Sequence, residues 1–137
     1  MASDKDKLVR DQPVGIPAEQ GPLAPYRGAQ PPAPQWFTDA VATPYETHFV
    51  ECEGVQIHYQ AWGDRTKPGL LLVHGNGAHA HWWDFVAPYL LEDYFVVAMT
   101  FSGMGDSGWR PDYTMDVFAR EQLAVCDHAG LFAHAEK

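Results

Sequence analysis

The chain has 137 residues, of which 46% are hydrophobic and 20% are charged, so it can form one modest globular domain with a buried core. Eighteen acidic residues against nine Lys and Arg give a formal net charge of −9. Such a field repels phosphate backbones and no basic cluster offsets it, which excludes nucleic acid as an expected partner.

Targeting and redox signals are weak in this sequence. No apolar run approaches the length of a membrane span, and the N-terminus lacks the apolar core of a signal peptide. We therefore expect no membrane partner and, by elimination, a cytoplasmic location. The two cysteines, Cys52 and Cys126, form no C-x-x-C pair and are expected to be buried free thiols.

Residues 1–34 differ in composition from the rest of the chain. They hold seven of the eleven prolines, few large apolar residues and no hydrophobic period. Such a segment buries too little surface to offset the entropy lost on ordering. We therefore expect a disordered or loosely attached arm over residues 1–34, followed by one domain over residues 35–137.

A short helix and a β-hairpin are predicted next. Residues 36–44 favour a helix that ends before a proline, because the residue before proline avoids helical angles. Residues 45–52 and 55–62 then alternate apolar and polar side chains on either side of Gly54, as the strands of a hairpin do. Structural roles are expected for two histidines on the strand faces, His48 and His58.

Two buried strands and two helices follow in alternation. Residues 70–73 are continuously apolar, which is typical of a strand covered on both faces, and residues 94–100 read similarly. Between them the pattern predicts a helix over residues 82–91, interrupted or kinked at Pro88. A longer helix is predicted from an N-cap at Thr114 to a C-terminal Gly130.

The last helix should turn an apolar stripe toward the core. The stripe consists of Met115, Phe118, Ala119, Val125, Cys126 and Ala129. A strand–helix–strand crossover implies parallel pairing, so the fold class is α/β. Two parallel core strands make an incomplete sheet, and residues 131–137 stand where another strand should begin. We therefore expect part of a larger fold.

The histidines after the first apolar strand raise the hypothesis of a metal site. His74, His79 and His81 precede Asp84 in a pattern that faintly resembles the H-x-H-x-D-H of binuclear zinc hydrolases. Asp84 comes one residue late and no histidine follows it, so the spacing fits metal ligation poorly.

A dinucleotide site is the second hypothesis for the loops. Residues 103–108, GMGDSG, match G-x-G-x-x-G and follow a strand. That motif binds pyrophosphate only when its turn opens directly into a helix. Here WRPDY intervenes and no later strand supplies a ribose-binding acid, so the match lacks its context.

Acyl transfer is the third hypothesis. This chemistry needs donors that point at a developing oxyanion, and a loop at the carboxyl end of a buried strand can supply a backbone N–H there. Gly75 and Gly77 would let such a loop turn tightly and approach a substrate.

The stretches LLLVHGNGAHAHWW and VVAMTFSGMGDSGWR together resemble the N-terminal half of the α/β-hydrolase family. In that family one strand ends in a His-Gly-x-Gly or His-Gly-x-Pro oxyanion loop. The next strand ends in a pattern like D-x-x-G-x-G-x-S and is followed by a long helix. The hairpin VECEGVQIHYQAWGD is similar to the family's opening strands. The resemblance covers about residues 45–131.

The resemblance makes Asn76 the candidate oxyanion donor, through its backbone N–H. It implies that Gly75 and Gly77 shape the loop, that His74 braces it, and that Trp82 edges a substrate pocket with Trp83. The second motif is matched by three residues with mainly structural roles, Gly103, Gly105 and Ser107. Thr100 stands where the family usually has aspartate.

The family's nucleophile lies on a G-x-S-x-G elbow, which the 137 residues do not contain. We therefore expect a domain truncated before that elbow. The complete enzyme should hydrolyse a small molecule (an ester, epoxide, haloalkane or C–C bond) through a covalent intermediate, with no cofactor or metal. The alternative is a non-catalytic interaction module that kept half the fold and associates with itself through an exposed sheet edge.

Overall fold

The computed structural model describes residues 18–133, and its contacts divide the chain into two compact units with a boundary after Ala33. In the first unit, residues 18–33 form two short 3₁₀ helices, Ala18–Gln20 and Ala24–Tyr26. Half of the predicted arm, residues 1–17, lies outside the described residues. The hypothesis of a loosely attached arm stays a prediction.

The second unit is built on a four-stranded mixed sheet in residues 34–133. The strands are β1 (Glu46–Cys52), β2 (Val55–Trp62), β3 (Gly69–Val73) and β4 (Phe95–Met99), in the spatial order β1-β2-β4-β3. β2 pairs antiparallel with both β1 and β4, and β3 pairs parallel with β4. The α-helices are α1 (Gln35–Val41) and α2 (Met115–Ala129). This arrangement confirms the predicted α/β class, the hairpin and the parallel pair.

The hairpin turn has the conformation that its sequence favours. Cys52 pairs with Val55, so the loop contains only Glu53 and Gly54, with φ angles of 50° and 79°. Positive φ at both central residues is the signature of a type I′ turn, which matches the twist of the flanking strands. Glu53 tolerates this left-handed conformation while its carboxylate accepts a 2.7 Å hydrogen bond from Arg120 Nε.

The core lies on both faces of β4, all five residues of which are buried. One face packs against α2 and the other against the 3₁₀ segments after β3. The prediction that residues 70–73 are covered on both faces is wrong for the described chain, because each of them is only half-buried. The reason is position: within residues 18–133, β3 pairs with β4 alone and forms the edge of the sheet.

The predicted helix over residues 82–91 is interrupted near Pro88, as expected, but it is wrong as an α-helix. Two 3₁₀ helices, Ala80–Trp83 and Ala87–Leu90, replace it. Pro88 has no N–H to donate to Asp84, and in a continuous α-helix its ring would collide with the Asp84 carbonyl. The chain therefore ends the first helix and begins another, with Pro88 in its first turn.

Helix α2 has both predicted ends. Thr114 Oγ1 accepts a hydrogen bond from the Val117 N–H at 3.2 Å, and Gly130 closes the helix in the left-handed conformation. Its predicted apolar stripe is wrong at the start, since Met115 and Ala119 are exposed. The buried positions are Glu121, Val125 and Ala129. Glu121 can face the core because its carboxylate is paired with the buried Arg110.

The two cysteines are free, as predicted, although only Cys52 is fully buried and Cys126 is half-buried. Burial raises the pKa of both thiols. No helix in the described range of the chain is both long and apolar enough to cross a membrane.

Candidate active site

His74 connects the two loops that leave the parallel strands. Its Nδ1–H donates to the Gly75 carbonyl at 2.7 Å, and its Nε2 accepts from the Phe101 N–H at 3.0 Å. This pattern requires a neutral ring with its proton on Nδ1. Burial lowers the pKa of His74, which favours the same neutral state. The loop after β3 is thereby fixed to the loop after β4.

Asn76 occupies a tight turn at the carboxyl end of β3. The Ala78 N–H donates to the Gly75 carbonyl at 3.3 Å, and Gly77 has φ +73° whereas Asn76 does not have positive φ. These features define a type II turn with Asn76 at its second position and glycine at its third. Asn76 is exposed, and its N–H donates to no protein acceptor within residues 18–133. The donor is therefore free to bind a ligand.

A cavity of about 310 Å³ lies beside this turn. It is lined by Asn76, Ser102, Gly103, Met104, Trp109, Tyr113 and Phe118. A larger depression, of about 600 Å³, lies within residues 19–28, but it carries no group with a catalytic arrangement. The cavity at Asn76 is the better candidate site because it lies where the two parallel strands end.

The loop after β4 is held by buried hydrogen bonds. Ser107 Oγ accepts from the His58 N–H at 2.9 Å and donates to the Thr100 carbonyl at 2.6 Å. The Gly108 N–H donates to the Gln56 carbonyl at 2.9 Å, which ties the loop to the start of β2. Ser107 is therefore a structural residue, and the G-x-G-x-x-G stretch closes a loop instead of opening a helix.

Thr100 replaces the aspartate that the resemblance leads one to expect. Its Oγ1 accepts from the Ala80 N–H at 2.9 Å and hydrogen-bonds His58 Nδ1 at 3.2 Å. The hydroxyl therefore joins β2, β4 and the segment after β3 without a buried charge. Burial lowers the pKa of His58, so this network is built around a neutral imidazole.

A buried ion pair between Arg110 and Glu121 lies next to Ser102, which lines the cavity. Arg110 Nε donates to Glu121 Oε1 at 2.8 Å, and the Ser102 N–H donates to Glu121 Oε2 at 3.0 Å. Arg110 also donates to the carbonyls of Cys52 and Glu53. One ion pair thus joins the loop after β4, helix α2 and the hairpin turn.

The residues expected at the site do not all meet there. Asn76 lines the cavity, whereas His74 braces the loop from behind and Trp82 is 62% exposed outside the lining. The metal hypothesis gains no support, because no three His, Cys, Asp or Glu side chains of residues 18–133 are arranged to hold an ion. His81 instead bonds Asp84 at 3.0 Å.

Sequence reasoning missed the far wall of the cavity. That wall comes from the connection between β4 and α2 and from the first turn of α2, and its aromatic members are Trp109, Tyr113 and Phe118. The available signal was a long loop rich in aromatic residues after a buried strand, since such loops often carry function.

Residues 68–131 match the model of the alpha/beta hydrolase fold family. The chain has a partial α/β-hydrolase fold. It is 27% identical over 106 residues to epoxide hydrolase 3 of Xenopus tropicalis, a match that covers 74% of this chain and 29% of that protein. The chain therefore spans less than a third of the length of this curated relative.

Solved α/β-hydrolase structures superimpose on part of this chain. The Cif epoxide hydrolase from Acinetobacter nosocomialis superimposes with a TM-score of 0.59 at 26% identity, over 70% of this chain and 33% of that one. A thioesterase domain from the curacin biosynthetic pathway also gives 0.59, at 29% identity, over 63% and 32%. The α/β-hydrolase neighbours match this chain over about a third of their own length.

Proposed function

We propose that this chain forms the oxyanion-binding side of a hydrolase active site that acts on a small molecule. The observation that carries the proposal is the position of Asn76, which lies in a fixed turn at the carboxyl end of β3, lines a cavity, and has an N–H with no protein acceptor within residues 18–133. The epoxide hydrolase and thioesterase relatives support hydrolysis as the reaction class.

The reaction proposed is hydrolysis in two steps. A serine or aspartate nucleophile attacks an ester, epoxide, haloalkane or C–C substrate and breaks its bond to the leaving alkoxide, ring oxygen, halide or carbon, which leaves an ester between enzyme and substrate. Water then hydrolyses that ester, which releases the product and regenerates the nucleophile. Negative charge collects on one oxygen of the tetrahedral intermediate, where the Asn76 N–H stabilises it. Gly75 and Gly77 leave room for that approach, and His74 holds the loop in place.

The nucleophile, base and acid are proposed to come from residues other than these 137. No G-x-S-x-G occurs in the sequence. Ser102 and Ser107 are buried, and the Ser107 hydroxyl donates to a carbonyl and not to a base. Neither serine has the geometry of an activated nucleophile.

The coding DNA provides the first test. The proposal predicts that the reading frame continues past Lys137 to a G-x-[Ser or Asp]-x-G within about twenty codons, since this fold's nucleophile follows the next strand. A stop codon followed by unrelated sequence would contradict the proposal.

A second candidate function is a non-catalytic interaction module. It is favoured by β3, whose outer edge has no partner strand within the described residues and whose side chains are half-buried. Such an edge can pair with a second copy. Size-exclusion chromatography with light scattering separates the two: a defined oligomer at micromolar concentration supports the module, and a monomer or aggregate argues against it.

A further inference from the structure

The cavity beside Asn76 has an aromatic wall with a fixed geometry. The rings of Tyr113 and Phe118 lie 6.0 Å apart at an interplanar angle of 28°, and Phe118 lies 4.8 Å from Phe101. The Arg110 N–H donates to Tyr113 Oη at 2.9 Å, which orients the ring. A Cβ added at Gly103 would lie 2.5 Å from that oxygen, so glycine is needed where the ring packs on the loop.

The wall carries no charge of its own. None of the residues that line the cavity, all of them within the described part of the chain, is ionisable at neutral pH. The nearby Arg110 and Glu121 are almost fully buried and paired with each other. A charged ligand would therefore lose hydration without gaining a partner, which disfavours ions.

Trp109 is the most exposed of the aromatic residues that line the cavity. Its side chain lines the cavity and yet is 78% exposed, although a large aromatic side chain usually buries most of its surface. An aromatic ligand in this cavity that contacts Trp109 would cover part of the exposed indole. The apolar surface removed from water would then come from both partners.

The cavity volume indicates the size of the ligand. A protein cavity of roughly 150 Å³ can hold a benzene molecule, so about 310 Å³ accommodates a two-ring aromatic group or one ring with a short linker. We propose that this cavity binds the neutral aromatic part of the substrate, with the reacting oxygen at the Asn76 N–H. This inference rests on the proposed function for the oxyanion role, whereas aromatic binding can be tested without catalysis.

The test is a titration of the ¹⁵N-labelled chain followed by the indole N–H signals in NMR. The probe is 2-naphthylmethanol, and its matched control is the anion 2-naphthoate. We expect a saturable shift of the Trp109 signal with the alcohol and at least about tenfold weaker binding of the anion. Trp36, which is 52% exposed and does not line the cavity, should not respond.

Variants locate the binding. Trp109→Ala should weaken 2-naphthylmethanol binding by about tenfold or more, since it removes one aromatic face. Trp36→Ala should change the affinity by less than about twofold. Both side chains are largely exposed, so circular dichroism should show an intact fold for each.

Absence of saturable binding, equal affinity for the anion, or an unaffected Trp109→Ala variant would each overturn the inference. Asn76→Pro separates it from the proposed function, because it deletes the donor and leaves the aromatic wall. If the Asn76→Pro chain still binds 2-naphthylmethanol, the aromatic site is supported. If the same substitution leaves the active hydrolase with full activity, only the oxyanion role of Asn76 is overturned.

Discussion

The ion pair between Arg110 and Glu121 should be one of the most costly pairs to break in this protein. Their side chains are 7% and 0% exposed, so removing one partner leaves the other charge in the interior. Such a loss typically costs about 3–5 kcal/mol, a large part of the roughly 5–15 kcal/mol that stabilises a domain. With a urea m-value of about 1.5 kcal/mol/M, the unfolding midpoint should fall by about 2–3 M.

The structure also ranks the two single variants. Arg110→Met leaves the Glu121 carboxylate with only the Ser102 N–H as a hydrogen-bond partner. Glu121→Leu leaves the guanidinium with three acceptors, the carbonyls of Cys52 and Glu53 and the Ser102 hydroxyl. Arg110→Met should therefore be the more damaging change, and the double variant should cost much less than the sum of the two.

Urea unfolding followed by circular dichroism measures these differences, and an exposed ion pair gives the control. Arg120 and Glu53 are about half-exposed, so Arg120→Met should cost no more than about 1 kcal/mol. An Arg110→Met variant as stable as Arg120→Met would refute the reasoning. Additive costs in the double variant would refute it as well.

Two further predictions concern acid stability and catalysis by the chain itself. Burial lowers the folded-state pKa of His58 and His74 below the ordinary 6.5, so the unfolded chain binds protons first as the pH falls. The free energy of unfolding should therefore decrease as the pH falls below about 6.5, by up to roughly 1.4 kcal/mol per pH unit for each histidine. Replacing both histidines with Gln should reduce this pH dependence, as measured by urea unfolding. Purified chain should hydrolyse p-nitrophenyl acetate no faster than buffer; saturable turnover that Ser107→Ala abolishes would contradict the account.

Local signals predicted much of the fold. The Glu53-Gly54 turn, the Thr114 cap and the terminal Gly130 each depend on a few adjacent residues, and all three are confirmed. The segment around Pro88 was wrong because sequence periodicity does not distinguish one kinked α-helix from two 3₁₀ helices.

The remaining errors depend on tertiary contacts. Glu121 faces the core only because Arg110, eleven residues earlier, is folded back against it. Half-burial of residues 70–73 follows from the place of β3 in the sheet order, which an apolar run does not encode. In the candidate site, the resemblance to the α/β-hydrolase family singled out Asn76, whereas the aromatic wall of the cavity depends on how the loop after β4 and the start of α2 pack.

The most direct test of the central claim compares two variants of Asn76 in the hydrolase that carries the nucleophile. Proline suits the second position of a type II turn and deletes the N–H, whereas alanine keeps it. With folding verified by circular dichroism and melting, Asn76→Pro should lower kcat by about 10²–10³, and Asn76→Ala should keep most activity. Equal damage in the two variants, or full activity in the proline variant, would contradict the assignment of the backbone N–H as the oxyanion donor.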